Sequence, residues 1–189
     1  MRKWIANMIS LSRLAIIVPW ALCIGPRPLA AFLLICIVIA TDLLDGPLAR
    51  RLATTSELGA RIDAYSDVVV CLTAMIILGV GDPRYFLVAC AMIAAFASWM
   101  LYRGLYGSVA FTRLGKYNGS LCYGLAVFAS LGAWLERRGV LDLRGIATFL
   151  IGGVAIYLAA SICENFIAIA RMRRWIGAWP GARLGKRER

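Results

Sequence analysis

Four aspartates close together in the chain form the pattern that most clearly suggests chemistry: Asp42, Asp45, Asp63 and Asp67. The first two are three residues apart and the last two are four apart, so each pair lies on one face of a helix. Only a short connection separates the pairs. We therefore expect two neighbouring antiparallel helices whose acidic faces meet.

Carboxylates that converge in this way repel one another and need compensating positive charge. Two divalent cations would supply it, and ligands that are all oxygen atoms favour Mg²⁺ or Mn²⁺ over zinc. Paired ions of this kind stabilise the charge on a phosphoryl group during its transfer. The aspartates thus indicate phosphoryl-transfer chemistry, with two alternatives: an ordinary loop, or the cation path of a small transporter.

Small residues and one arginine accompany the acids. Gly46 and Gly59 lack side chains, which lets a ligand approach the backbone closely. Ala49 keeps the same helical face narrow, and Arg50 offers planar donors suited to a diphosphate. Together these residues favour a phosphate-binding site over an ordinary loop.

The elements that must position these residues are membrane-spanning helices. Apolar residues make up 61% of the 189 residues and charged residues only 16%, which leaves uncharged runs near the roughly 20 residues that a bilayer requires. We predict an all-α polytopic membrane protein, a six-transmembrane-helix bundle forming a single domain over residues 1–189. The predicted spans are Ile9–Ile24, Leu29–Leu48, Ile62–Val80, Tyr85–Leu105, Ser120–Leu135 and Ile146–Ala170.

The basic residues predict the orientation of these spans. Sixteen of the 21 lysines and arginines fall on one side of the layout and five on the other, and the richer side is the cytoplasmic one. We therefore expect both termini and the aspartates on the cytoplasmic side of a bacterial inner membrane. Residues 1–8 are predicted to form a short interfacial helix and residues 177–189 a basic cytoplasmic tail. The net charge of +11 then reflects contact with anionic lipids rather than with nucleic acid.

Six cysteines lie inside the apolar segments without a close pair, and the sequence has no histidine. This spacing fits neither a disulfide framework nor a thiolate zinc site. We expect all six to be free thiols that pack as small apolar residues.

The spacing of the acids and their companions resembles the signature of the CDP-alcohol phosphotransferases: Asp42-x-x-Asp45-Gly46-x-x-Ala49-Arg50, then Gly59-x-x-x-Asp63-x-x-x-Asp67. The resemblance implies a six-helix membrane bundle, usually a homodimer, that uses two Mg²⁺ or Mn²⁺ ions. It implies transfer of a phosphatidyl group from CDP-diacylglycerol to an alcohol, with release of CMP. It further implies that the four aspartates bind metal and that Asp67 is also the base for the acceptor hydroxyl. The implied lining of the CDP pocket is Gly46, Ala49, Arg50 and Gly59.

Other features concern the acceptor alcohol. The opening Asn7-x-x-Ser10-x-x-Arg13 is similar to the start of phosphatidylglycerophosphate synthases, which commonly carry threonine at the middle position. The pair Gly115-Lys116 resembles an element of glycerophosphate users, although Gly119 stands where a threonine is expected. Glycerol-3-phosphate is the first choice. The alternatives are inositol phosphate, serine, phosphatidylglycerol and a ceramide-type partner.

A phosphorylated acceptor needs a second basic cluster, and the candidates are Arg113, Lys116 and Arg171. The same residues would also serve as anchors on the cytoplasmic side. Glu164 lies inside the sixth predicted span, seven residues before Arg171 on the same helical face, so it would either brace Arg171 or contact the acceptor. Asn165 is expected to form a hydrogen bond between packed helices.

Overall fold

The described residues of this computed structural model form six α-helices. The backbone is described for residues 2–51, 57–106, 112–140 and 142–178, and the side chains for residues 12–41, 62, 64–105, 112–140 and 142–171. The helices are α1 Arg2–Ile24, α2 Pro28–Arg51, α3 Glu57–Gly81, α4 Arg84–Tyr106, α5 Asn118–Arg137 and α6 Arg144–Ala178, with a 3-10 turn at Gly115–Tyr117 before α5. Each predicted span lies within one of these helices.

Four segments are long and apolar enough to cross a membrane: Ala64–Gly81, Arg84–Leu105, Gly115–Arg137 and Arg144–Arg171. The described parts of α1 and α2 add two shorter apolar stretches, Ser12–Ile24 and Pro28–Thr41. Val80 and Phe149 are 81% and 85% exposed, an arrangement that suits lipid far better than water. The chain is an all-α polytopic membrane protein.

The predicted interfacial segment and basic tail lie largely outside the described residues. No side chain of residues 1–8 or 177–189 is described, and neither is the backbone beyond residue 178. The helix α1 begins at Arg2 and α6 continues to Ala178. Both assignments stay predictions.

Local sequence explains how these helices begin and end. Pro28 opens α2, at a position where its missing N–H would have no partner in the helix anyway. The helix α5 ends in a Schellman motif, in which Gly139 adopts a φ of +66°. The Gly139 N–H donates to the oxygen of Glu136 at 3.0 Å, and the Val140 N–H donates to the oxygen of Leu135 at 3.2 Å. Glycine adopts this left-handed conformation without steric cost.

Three connections lie together at one end of the bundle. Arg137, at the end of α5, donates from Nη1 to the oxygen of Pro26 at 3.0 Å, and Arg84, at the start of α4, donates to Thr148 in α6. The Arg84 guanidinium also hydrogen-bonds the Asp82 side chain at 2.6 Å, which lowers the pKa of that carboxyl below its ordinary value. The α1–α2, α3–α4 and α5–α6 connections thus share one end, as predicted for the side poor in basic residues.

The helices α1 and α5 pack together with α2 and α3 in the bundle. Each of these two helices packs against both α2 and α3, whereas α6 packs mainly against α4. Trp20 of α1 is completely buried and donates from Nε1 to Ser130 Oγ of α5 at 3.1 Å. Such interhelical hydrogen bonds help to fix helix contacts in lipid.

All six cysteines, each at a described position, are free thiols, as predicted.

Candidate active site

Asp67, the last of the four aspartates, lies where three helices meet. Its Oδ1 accepts a hydrogen bond from Nη1 of Arg13 on α1, as part of an ion pair, and another from the Tyr123 hydroxyl of α5 at 3.3 Å. The Arg13 side chain is completely buried, whereas that of Asp67 is 28% exposed. The carboxylate is therefore held from two sides and remains accessible to a bound group.

This arrangement follows from the cost of placing charge among apolar residues. A buried guanidinium requires an anionic partner, and Asp67 is within reach because α1 packs against α3. Sequence patterns indicated Arg13 and Asp67 separately, but not the ion pair between them. A charge within an apolar span was the available signal. Tyr123 gave no such signal, because tyrosine is common in apolar helices.

The other predicted ligands lie on α2 and α3. The last turns of α2 and the first turns of α3 carry, in chain order, Asp42, Asp45, Gly46, Ala49, Arg50, Gly59 and Asp63; their side chains are outside the described residues. The two helices that hold Asp67 also pack against α2. The meeting of the four carboxylates stays a prediction, and this packing is compatible with it.

A divalent cation fits the chemistry of Asp67. Its carboxylate offers the oxygen donors that Mg²⁺ and Mn²⁺ prefer, and the side chain is partly exposed. Among the described side chains, no group of three or more His, Cys, Asp or Glu residues lies together. A metal site at Asp67 with three or more such protein ligands would therefore need side chains outside the described ones, and the predicted candidates are Asp42, Asp45 and Asp63.

Three exposed basic side chains lie at this same end of the bundle: Arg113, Lys116 and Arg171. The turn that carries the first two leads directly into α5. There the oxygen of Gly119 accepts a hydrogen bond from Cys71 Sγ of α3 at 3.7 Å, one helical turn from Asp67. The proposed acceptor residues and Asp67 thus share one end of the α3–α5 pair.

Glu164 has a structural partner that the sequence did not reveal. Its Oε2 accepts a hydrogen bond from the backbone N–H of Leu114 at 2.8 Å. Among the described side chains no ion pair joins Glu164 to Arg171. The first of its two predicted roles, bracing Arg171, is therefore wrong, and contact with the acceptor stays a prediction.

Asn165 connects three segments. Its Oδ1 accepts a hydrogen bond from Thr112 Oγ1 at 2.9 Å, and its Nδ2 donates to Ser98 Oγ of α4 at 2.8 Å. The side chains of Asn165 and Ser98 are both buried. The prediction that Asn165 forms a hydrogen bond between packed helices is confirmed.

Comparison with known proteins decides the family. A model of the CDP-alcohol phosphatidyltransferases matches residues 3–163, well over half of the chain. The chain belongs to this family. It is 32% identical over 136 residues to the CDP-diacylglycerol–glycerol-3-phosphate 3-phosphatidyltransferase of Escherichia coli K12, covering 67% of this chain and 72% of that protein. Proteins of the same name from Shigella sonnei and Shigella flexneri match to the same extent.

Membership of the CDP-alcohol phosphatidyltransferase family makes the chain an enzyme of phospholipid biosynthesis and not a cation transporter. The family generally depends on divalent metal ions, in agreement with the carboxylate pattern. Arg13, Asp67 and Tyr123 all lie within the matched residues, whereas Arg171 lies beyond them.

Proposed function

We propose that this enzyme transfers the phosphatidyl group of CDP-diacylglycerol to glycerol-3-phosphate, forming phosphatidylglycerophosphate and releasing CMP. The observation that supports the proposal is the contact of Arg13 and Tyr123 with Asp67, which lies one helical turn after Asp63 on α3. Relatives named for this reaction support it over two thirds of the chain.

Asp67 is the proposed general base. Its carboxylate takes the proton of the acceptor hydroxyl, and the hydroxyl oxygen forms a bond to the phosphorus nearest the diacylglycerol. The bond from that phosphorus to the CMP oxygen breaks at the same centre. Because a base must lie within hydrogen-bond reach of its proton, the contacts from Arg13 and Tyr123 serve to fix the carboxylate.

The donor is proposed to bind between α2 and α3. Two Mg²⁺ or Mn²⁺ ions, when bound, supply positive charge to the diphosphate and to the departing CMP. The proposed metal ligands are Asp42, Asp45, Asp63 and Asp67. The proposed CDP pocket is lined by Gly46, Ala49, Arg50 and Gly59, where the Arg50 guanidinium offers paired donors to the diphosphate.

A phosphorylated acceptor suits the basic side chains at this end. Arg113, Lys116 and Arg171 are exposed, and none forms an ion pair with a described residue. Exposed positive charges of this kind suit an anionic ligand. Serine and a ceramide-type partner would leave these charges without a ligand.

The membrane setting of the proposal is a bacterial inner membrane crossed six times by a single-domain chain. The active site and both termini face the cytoplasm, because the side richer in basic residues is the cytoplasmic one. Residues 1–8 lie in the interface, and the enzyme works as a homodimer, by analogy with its family.

The test uses purified enzyme, CDP-diacylglycerol, Mg²⁺ and a panel of acceptors, with CMP release as the measurement. We expect the highest kcat/KM with glycerol-3-phosphate. A higher kcat/KM with serine, inositol phosphate, phosphatidylglycerol or ceramide would identify a different acceptor and leave the proposed reaction class unchanged. Failure of every acceptor to release CMP would contradict the proposal as a whole.

A further inference from the structure

The turn of residues 112–117, which carries Arg113 and Lys116, is fastened to α6 at Leu114. The Leu114 N–H donates to Glu164 Oε2 at 2.8 Å, and the Leu114 oxygen accepts from the Tyr157 hydroxyl, also at 2.8 Å. Tyr157 and Glu164 are seven residues apart and so lie on the same face of α6. Both backbone polar groups of one turn residue are thus bound by side chains of a single helix.

Further hydrogen bonds hold the two ends of this turn. At its start, Thr112 Oγ1 donates to Asn165 Oδ1 at 2.9 Å and accepts from the Gly115 N–H at 3.3 Å. After its end, Asn118 Nδ2 donates to Ser161 Oγ at 3.1 Å. We refer to the four α6 side chains as the α6 clamp: Tyr157, Ser161, Glu164 and Asn165.

Gly115 shows how closely the turn is packed. A Cβ at this position would lie 2.8 Å from Thr112 Oγ1 and 3.8 Å from Ser161 Oγ. The Thr112 hydroxyl has little freedom to yield, because it is hydrogen-bonded to Asn165 and to Gly115 itself. The turn therefore has one well-defined position on α6.

Among the described side chains at this end of the bundle, basic residues outnumber acidic ones. Among the described residues the acids at this end are Asp67 and Glu164; Asp67 pairs with Arg13, and Glu164 binds a backbone amide. The three basic side chains of the proposed acceptor site have no acidic partner in the described part of the chain. An anion is the ligand that such a cluster would bind.

We propose that the α6 clamp holds the turn in place and so positions Arg113 and Lys116 of the proposed acceptor site relative to Arg171. This inference rests on the proposed function. Arg171 lies seven residues beyond Glu164 on α6, about 10 Å along the helix axis, so one helix carries both the clamp and the third base. The clamp residues are positioning residues, and they fix where the acceptor phosphate binds relative to the Asp67 carboxylate.

The test compares two substitutions of Glu164 in the full-length enzyme. Glu164→Leu removes the acceptor of the Leu114 N–H bond, and we expect the KM for glycerol-3-phosphate to rise roughly tenfold, with the KM for CDP-diacylglycerol and kcat within about twofold of wild type. Glu164→Gln keeps an oxygen for the same bond and removes the charge. We expect it to restore an acceptor KM within about twofold of wild type.

The matched control is Thr148→Val, which removes a hydroxyl that bonds the Arg144 oxygen and Arg84 at the opposite end of α6. It should leave the KM for glycerol-3-phosphate unchanged. Hydrogen exchange provides a readout of the clamp itself. The amides of residues 112–117 should exchange faster in Glu164→Leu than in Glu164→Gln or Thr148→Val.

Several results would overturn the inference. Equal changes in both KM values, or a fall in kcat alone, would mean that Glu164 serves only the fold. If Glu164→Leu does not yield folded protein, the test uses Tyr157→Phe, which removes only the hydrogen bond to the Leu114 oxygen. A selective rise in the KM for glycerol-3-phosphate would support the inference. An unchanged KM would overturn it. Wild-type enzyme that releases CMP with no acceptor would instead overturn the proposed function.

Discussion

Arg13 and Asp67 form an ion pair between α1 and α3 although 54 residues separate them in the chain. The Arg13 side chain is completely buried and that of Asp67 is partly exposed. The buried Arg13 therefore holds Asp67 in position, and the partly exposed Asp67 is the aspartate that we propose as the base. The pair links the packing of the bundle to its chemistry.

Loss of Arg13 should destabilise the enzyme. Arg13→Met leaves Asp67 without its buried cation, and breaking such a pair costs on the order of 3 kcal/mol. The expected result is a clear fall in Tm in detergent. Arg27→Met is the matched control, because Arg27 is exposed in the α1–α2 connection, and its Tm should stay at the wild-type value. In an Asp67→Asn background the ion pair is already absent, so Arg13→Met should lower the Tm by less than it does in the wild type. An equal loss of Tm in both backgrounds would contradict energetic coupling between Arg13 and Asp67.

Asp67→Asn should abolish turnover, and it should also lower the Tm because the buried Arg13 guanidinium loses its anionic partner. The amide oxygen still accepts hydrogen bonds from Arg13 and Tyr123, but it cannot take a proton. We expect CMP release to fall by about 100-fold to 10,000-fold, with binding of CDP-diacylglycerol largely retained. The control is Asp82→Asn at the opposite end of the bundle. CMP release in Asp67→Asn close to the wild-type rate would remove Asp67 from the role of base.

Arg171→Ala should weaken the binding of glycerol-3-phosphate far more than the binding of CDP-diacylglycerol. A hydrogen bond to a charged group contributes about 2 kcal/mol, so the KM for glycerol-3-phosphate should rise about 30-fold. Arg144→Ala, at the other end of the same helix, serves as the control and should change neither KM. Equal effects of Arg171→Ala on donor and acceptor would indicate that Arg171 only anchors α6 at the membrane surface.

Two glycines one helical turn apart should respond differently to alanine. A Cβ at Gly115 would lie 2.8 Å from Thr112 Oγ1, whereas a Cβ at Gly119 would meet no atom within 4 Å. Gly115→Ala should therefore displace the turn and raise the acceptor KM, and Gly119→Ala should leave it unchanged. Michaelis–Menten measurements with both substrates distinguish these outcomes. Identical acceptor KM values for the two variants would contradict the described packing.

Removal of divalent ions should stop the reaction reversibly. Chelation by EDTA should eliminate CMP release, and either Mg²⁺ or Mn²⁺ should restore it, because the proposed ligands are all carboxylate oxygens. Zinc should restore it poorly, since the site offers no nitrogen or sulfur donors. Full activity after exhaustive chelation would contradict the two-metal proposal.

Much of the fold was predictable because helix formation and membrane insertion depend on local sequence. Apolar runs bounded by glycine, proline and charge placed the six spans within the six described helices, since in lipid the backbone must satisfy its own hydrogen bonds. The spacing of the aspartates likewise indicated the family, which the comparisons confirm. The spacing of the aspartates extends over only a few helical turns, so it can be recognised without knowing which residues contact one another in the folded protein.

The sequence by itself determined the membrane class, the helices and the type of chemistry. The tertiary structure alone decided the partners: Arg13 and Tyr123 for Asp67, and the Leu114 backbone instead of Arg171 for Glu164. These contacts depend on which helices pack together and on their relative positions along the helix axes. Many packing arrangements are compatible with the same local periodicity of apolar residues. A charged side chain in an apolar helix must find a partner, but only the assembled bundle determines which one lies within reach.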